Sequence, residues 1–425
     1  MNRCLWLAIF AVCAYAQSES GILLRGGTIH TISGPIIEGG SVLIRNGKIV
    51  AVGRNFTTPD GYKVIDLAGK QVYPGMIDAA SMLGLDSNSS TPADTAEQGL
   101  LNPQLRALTA VNPESDHIPF SRSNGVTSVI EMPDGELLAG QMSLIHLDGA
   151  NNAEMAVVPL AAIHLRFPAF TIHPIRPHED DDNDADPGDP EPIPYEQAKA
   201  DYARKMAALN QFFDEAEQYR SARPSRRDLR LEAMLPVLDG KVPLFVTAVR
   251  EREIREAVAF AEKRHVRLIL ADAYESYKVI PLLKEKKIGV VLGPTFTLPL
   301  DPDDPYDRSY TTPAELRKAG IPFAIASFSA RRSFNLPYQA AAAVPFGLDH
   351  EEAYRAVSLS AAEIFGLGNR LGSIEEGKVA DLIVSDGDPL EVTSHVRMVF
   401  ISGKSVSLDT RQKRLADKYA AAPNR

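Results

Sequence analysis

Imidazole is the side chain that both metal-assisted hydrolysis and general base catalysis lean on most, so the histidines of this 425-residue chain come first. There are nine: His30, His117, His146, His164, His173, His178, His265, His350 and His395. None stands two or four residues from another, so no ready-made ligand pair lies along a strand or on one face of a helix. The nearest groupings are His164 with His173 and His178, and Asp116 with His117. Other routes to catalysis are as sparse. No Gly-x-Ser-x-Gly elbow is present, and no phosphate- or dinucleotide-binding glycine pattern follows a strand. Ser327 and Ser329 have no legible base beside them. Arg331-Arg332 has the donors to clamp a carboxylate or phosphate, and equally to make surface salt bridges.

Thiol chemistry is excluded by position. Cys4 and Cys13, together with the lone Trp6, fall in a segment with the marks of a secretion signal. Met1-Asn2-Arg3 is its positive start, Cys4 to Ala14 its apolar stretch, and Ala14-Tyr15-Ala16 a small-x-small cleavage site. The expectation is a periplasmic or secreted protein cleaved after Ala16, with no disulfide, thiolate nucleophile or cysteine metal ligand. A formal charge of −10 argues against nucleic acid or an anionic membrane surface as the main partner. Beyond the signal, no apolar run is long enough to span a bilayer.

The elements that must position any site fall into two kinds. From residue 17 to 72 the chain reads as short β patterns punctuated by glycine, with Asn46-Gly47 as a two-residue hairpin turn. Residues 372–410 read the same way, notably Ala380 to Val384 and Val396 to Lys404. One small β-sandwich made from both chain ends accounts for this. The middle, 73–371, alternates buried strand candidates with helices: 72–77, 126–131, 243–248, 268–270, 289–292 and 321–326. Thr312-Pro313-Ala314-Glu315 and Asp349-His350-Glu351-Glu352 look like helix starts, and Gly320 a helix stop. The expected fold class is α/β, a (β/α)8 TIM-type barrel inserted into the sandwich. Residues 176–194 hold six aspartates and five prolines and read as a solvated, mobile loop. Residues 411–425 read as a tail.

Two segments carry a family resemblance. Tyr73-Pro74-Gly75-Met76-Ile77-Asp78-Ala79 resembles the first barrel strand of the amidohydrolase superfamily. Ala361 to Leu367, continuing through Gly372-Ser373-Ile374-Glu375-Glu376-Gly377-Lys378-Val379-Ala380-Asp381-Leu382-Ile383, is similar to its closing pattern. Asn112-Pro113-Glu114 followed by Gly125-Val126-Thr127-Ser128-Val129 resembles the branch related to imidazolonepropionase. The resemblance implies hydrolysis of non-peptide carbon–nitrogen bonds by zinc or another divalent metal. That metal would be held by a His-x-His pair after the first strand, histidines after the fifth and sixth, and an aspartate after the eighth.

At those positions this chain has Ala80 and Met82, Thr247 and Val249, Ala271, and Phe328. Alanine, valine and phenylalanine offer no lone pairs and a thioether is a poor zinc ligand, so no metal cofactor is expected. In a barrel, ligands bind above the C-terminal strand ends. The pocket candidates there are Glu131, Thr247, Arg250, Asp272, Tyr274, Glu275, Ser327, Arg331 and Arg332. The sequence thus predicts a catalytically degenerate, ligand-binding member of the family, or the partner subunit, in a homo- or hetero-oligomer, of an active paralogue. The alternative is an active hydrolase of cyclic amides working through an atypical site.

Overall fold

The computed structural model describes residues 21–85, 99–172, 191–222 and 226–420. The expected signal segment, His173, His178 and most of the acidic loop lie outside them. Sixteen strands are formed among the described residues. The first five are β1 (Ile22–Ile29), β2 (Ile37–Arg45), β3 (Lys48–Gly53), β4 (Lys63–Asp66) and β5 (Gln71–Pro74). The next eight are β6 (Met76–Ser81), β7 (Val126–Glu131), β8 (Leu138–His146), β9 (Ala156–Arg166), β10 (Leu244–Thr247), β11 (Leu268–Ala271), β12 (Gly289–Leu292) and β13 (Phe323–Ile325). The last three are β14 (Leu382–Ser385), β15 (Val396–Ile401) and β16 (Lys404–Val406).

The two chain ends form one sheet, in the order β16-β15-β14-β5-β1-β2-β3, with β4 also pairing β1. Antiparallel pairing of Val72, Tyr73 and Pro74 with Val384, Ile383 and Leu382 joins them. A shared core of Leu24, Ile29, Val42, Val72, Leu382, Val384 and Phe400 lies beneath. The hairpin expected at Asn46-Gly47 is present: both residues take positive φ, 52° and 76°, which matches the strand twist.

The middle of the chain forms a second eight-stranded sheet, β6 to β13 in sequence order, whose ends come together as a barrel. The amide of Phe328, just after β13, donates to the Ala80 carbonyl on β6 at 2.9 Å. Along β10 the side chains alternate: Phe245 packs in the barrel interior, while Leu244 and Val246 pack outward with helix residues Ile254, Ala257 and Phe260.

Details differ from the sequence reading. The expected first strand, 72–77, is two strands broken at Gly75, so the sandwich extends to Pro74. Strands β8 and β9 had no candidates, and β8 runs antiparallel to both neighbours. Its polar Gln141 and Ser143 are buried, which hides the strand from a reading based on apolar runs. The helix expected to start at Thr312 spans Arg308–Ala319, and the Thr312 hydroxyl donates to the Arg308 carbonyl at 2.8 Å instead of capping. Asp349 does cap its helix, accepting from the amides of Glu351 and Glu352. Part of the tail forms a helix, Arg411–Ala420.

The break at Gly75 has a steric cause. A Cβ there would lie 2.2 Å from Thr127 Oγ1 and 2.7 Å from Thr127 Cβ, while the Gly75 amide donates to the Asp381 carbonyl at 2.8 Å. The chain passes from sandwich to barrel against a fully buried β7 side chain. Gly75→Ala is therefore expected to cost about 2–3 kcal/mol in urea unfolding. Thr127→Ala in the same chain should recover part of it, because two of the three clashing atoms go. Additive losses would show that the clash is not the cause.

Candidate functional site

Asp78 lies on β6 and is fully buried. Its carboxylate accepts from the Ser327 amide at 2.9 Å, the Ser327 hydroxyl at 2.5 Å and the Ser333 hydroxyl at 2.7 Å. The first strand is thus tied to the segment after the eighth. Ser81 extends the cluster, with its hydroxyl 2.9 Å from that of Ser333. Burial pushes Asp78 up to about 6, against the opposing effect of these donors. Glu131, the last residue of β7, is also fully buried, and neither carboxyl oxygen has a hydrogen-bond partner among the described residues. Burial first, and the Asp78 charge second, raise it well above the usual carboxylate range.

A cavity of about 710 Å³ opens to one side of this cluster, over the ends of β9 to β12. Phe167, Val249, Leu292 and Pro294 give it apolar walls, and the helix Tyr195–Ala222 contributes Gln197, Asp201, Arg204 and Lys205. Ile193, at the end of the acidic segment, also lines it, and its amide donates to the Ile172 carbonyl at 2.8 Å. The last four residues of that segment, 191–194, are described, and Ile193 among them is packed against the protein.

Of the nine pocket candidates, Thr247, Asp272 and Tyr274 line the cavity. The other six have different environments. Glu131 and Ser327 belong to the buried carboxylate cluster. Arg250 makes two bonds to Asp301, at 2.7 and 3.0 Å. Glu275 accepts from the Glu251 amide at 2.6 Å and from Lys278 at 2.7 Å. The backbone amides of Arg331 and Arg332 donate to Ser329 Oγ, at 3.0 and 2.9 Å. A local run of sequence could not separate these from the cavity wall, because strand tips point both into the barrel and away from it.

The residue missed by sequence reading is His164, which is fully buried on β9. Its Nδ1 lies 2.7 Å from the Pro133 carbonyl, which can only accept, so Nδ1 carries the proton. Nε2 is then the acceptor for the Thr247 hydroxyl at 2.9 Å. Burial, with Arg166 adding to it, pushes His164 down to about 4, so the ring is neutral at neutral pH. In the sequence His164 was only one of several scattered histidines. Its i, i+2 spacing to Arg166, facing Phe245 and Thr247 across the β9–β10 ladder, was the signal.

Comparison with known proteins bears on what these strand ends descend from. The amidohydrolase family model matches residues 311–406. The crystal structure of an amidohydrolase from Thermotoga maritima superposes with a TM-score of 0.79 at 28% identity, covering 91% of this chain and 99% of that one. These likenesses support the amidohydrolase superfamily as the origin of the fold. An imidazolonepropionase from Thermoplasma volcanium is 34% identical over 118 residues, 26% of this chain. An adenine deaminase from Listeria monocytogenes is 40% identical over 162 residues, 37% of this chain. These matches span only 29% and 24% of the two relatives.

The positions at which the superfamily resemblance places metal ligands can now be tested for fit. Ala80, Ala271 and Phe328 are buried in one apolar cluster with Ile130, Met142, Phe245 and Ala326. Thr247 is engaged by His164, Val249 lines the cavity with carbon, and Met82 packs against the outer core. Among the described residues no group of three or more His, Cys, Asp and Glu could hold a metal ion. These residues do not fit a divalent cation held in the superfamily's manner. Phe328 has φ of 50°, a left-handed conformation that is costly for a bulky side chain.

The buried carboxyl pair has a consequence for stability. A carboxyl whose folded pKa is raised contributes stability that is complete below its unfolded value and is lost as pH rises through the folded one. For Asp78 the window runs from about 4 to about 6. For Glu131 it extends higher. Glu131→Gln, which cannot ionise, is expected to be more stable than the wild type at pH 8 and to lose that advantage at pH 4. Parallel stability curves, measured by urea unfolding across that range, would show that Glu131 is not the group responsible.

Proposed function

We propose that this chain is an exported amidohydrolase-fold protein that has given up metal-assisted hydrolysis of carbon–nitrogen bonds and holds a small molecule in the cavity over β9 to β12. One observation carries the reading: Ala80, Ala271 and Phe328, three of the six strand-end positions of the expected metal ligands, are packed in an apolar cluster, and Thr247 and Val249 line a cavity of about 710 Å³ beside it. That volume is in the range of small-molecule sites. Strand tips lined with carbon offer a cation nothing in exchange for its water shell, whereas a pocket that combines apolar walls with polar and charged side chains suits an organic ligand.

Export to the periplasm or beyond the cell is supported by the amino-terminal run Met1 to Ala16, with its positive start, apolar stretch and small-x-small site. A silent fold of this kind has two uses, as a binding protein or as the partner of a catalytically intact relative. Co-expression with such a relative, followed by size-exclusion chromatography, distinguishes them: a stable heteromer supports the partner role, and a monomer in the mixture the binding role.

Metal analysis of protein purified without chelator tests the central claim. Zinc, iron and manganese are each expected well below one per chain. About one tightly held metal per chain, removable with loss of turnover, would overturn the reading. In a thermal-melting screen of small organic molecules, at least one class should raise the midpoint, and Val249→Trp, which fills the cavity, should abolish the shift. If no compound does so, the cavity is not a binding site.

A further inference from the structure

The floor of the cavity carries an arrangement that simple binding does not require. Thr247 lines the cavity, and its hydroxyl proton points at Nε2 of His164, 2.9 Å away. The Pro133 carbonyl, 2.7 Å from Nδ1, holds the imidazole in the tautomer that leaves Nε2 free to accept. Phe245 packs edge-on against the ring, with centroids 6.0 Å apart, and limits its rotation. A nucleophile within hydrogen-bond reach of a base, with that base oriented by a third group, is the arrangement that activates a hydroxyl for covalent catalysis. Arg166 is the in-register partner of Thr247 across the β9–β10 ladder and also lines the cavity. Its guanidinium, ion-paired with Asp134 at 2.5 Å, lies close enough to His164 to help keep that ring neutral.

We propose that Thr247 is a metal-free nucleophile, served by His164 as general base, that takes the acyl group from an activated carboxylic ester bound in the cavity. In the acylation step the Thr247 oxygen forms a bond to the carbonyl carbon, and its proton passes to Nε2. The carbonyl oxygen gathers negative charge beside Arg166. The intermediate then collapses: the bond to the leaving oxygen breaks, and that oxygen takes the proton from Nε2. Thr247 is left as an ester and His164 returns to the neutral form, so atoms and charge balance without a further reactant. A weakly basic imidazole restricts the substrate to esters with good leaving groups, such as phenyl esters, and excludes ordinary amides. The proposal rests on the reading that the cavity admits a small molecule. It goes further in giving one wall of that cavity a reaction.

The experiment uses the full chain and p-nitrophenyl acetate as probe. Wild-type protein should release a burst of p-nitrophenolate approaching one equivalent per chain, and peptide mass mapping should find the acetyl group on Thr247. Thr247→Ser, which keeps the hydroxyl, should retain the burst. Thr247→Ala should lose it, and His164→Gln should slow it by roughly 100-fold or more. The burst rate should be level at neutral pH and fall as the medium is acidified towards about 4, where His164 takes up a proton. A burst in Thr247→Ala equal to that of the wild type would overturn the proposal, since it would mark adventitious labelling elsewhere. So would the absence of acetyl from Thr247 in protein whose melting midpoint still responds to cavity ligands, and in that case the binding reading survives alone. If neither labelling nor any ligand response is seen, both fall together.

Discussion

A buried carboxylate closes this barrel. β13 is only three residues long, and beyond it the chain must be held against β6 for the eight strands to enclose anything. Asp78 does this by accepting from one amide and two hydroxyls, all supplied by Ser327 and Ser333. Such a clasp works because a carboxylate with several donors is far better satisfied in a dry interior than one with none. Glu131 has no donors, and with the Asp78 charge near it the cheaper state is to keep its proton. One acidic side chain holds the barrel shut and a neighbouring one bears the cost of being dry.

The clasp also determines where chemistry can sit. On the side of β6, β7 and β13, the strand ends are packed with alanine, phenylalanine and methionine; Asp78, Ser81, Ser327 and Ser333 among them bond to one another, and Glu131 does not join them. On the side of β9 to β12 the packing opens into the cavity. The hydroxyl of Thr247 and the imidazole of His164 are at that boundary. One partner is buried and neutral, and the other is exposed to whatever the cavity admits. Among the described residues that first wall holds no group suited to a metal, and the proposed nucleophile and base stand on the other. Neither depends on a cation, because the proton acceptor is a ring nitrogen held in place by a backbone carbonyl.

The seam between sandwich and barrel made much of the fold legible. Pro74-Gly75 and the closing segment from Gly372 to Ile383 are recognisable because each residue type there meets a steric or hydrogen-bonding requirement. Gly75 has no room for a Cβ, and Asp381 bonds both His146 of the barrel, at 3.0 Å, and the Ser402 amide, at 2.7 Å. Requirements of that kind are local, so they leave a mark in the sequence. Strand β8 left none, since a reversed strand with glutamine and serine buried along it matches neither an apolar run nor a clean alternation. The pocket was legible only in part, because counting residues past a strand does not tell which tip faces inward.

The sequence by itself determined the resemblance to the superfamily, the two-part architecture and the residue types that stand at the strand ends, since each is a matter of residue type at a position along the chain. Tertiary structure alone decided that Asp78 meets Ser327 and Ser333, some 250 residues away, that Glu131 has no partner, and that His164 and Thr247 face each other 83 residues apart. Barrel closure and strand register bring such pairs together. Both are properties of the whole sheet, and no stretch of sequence records them.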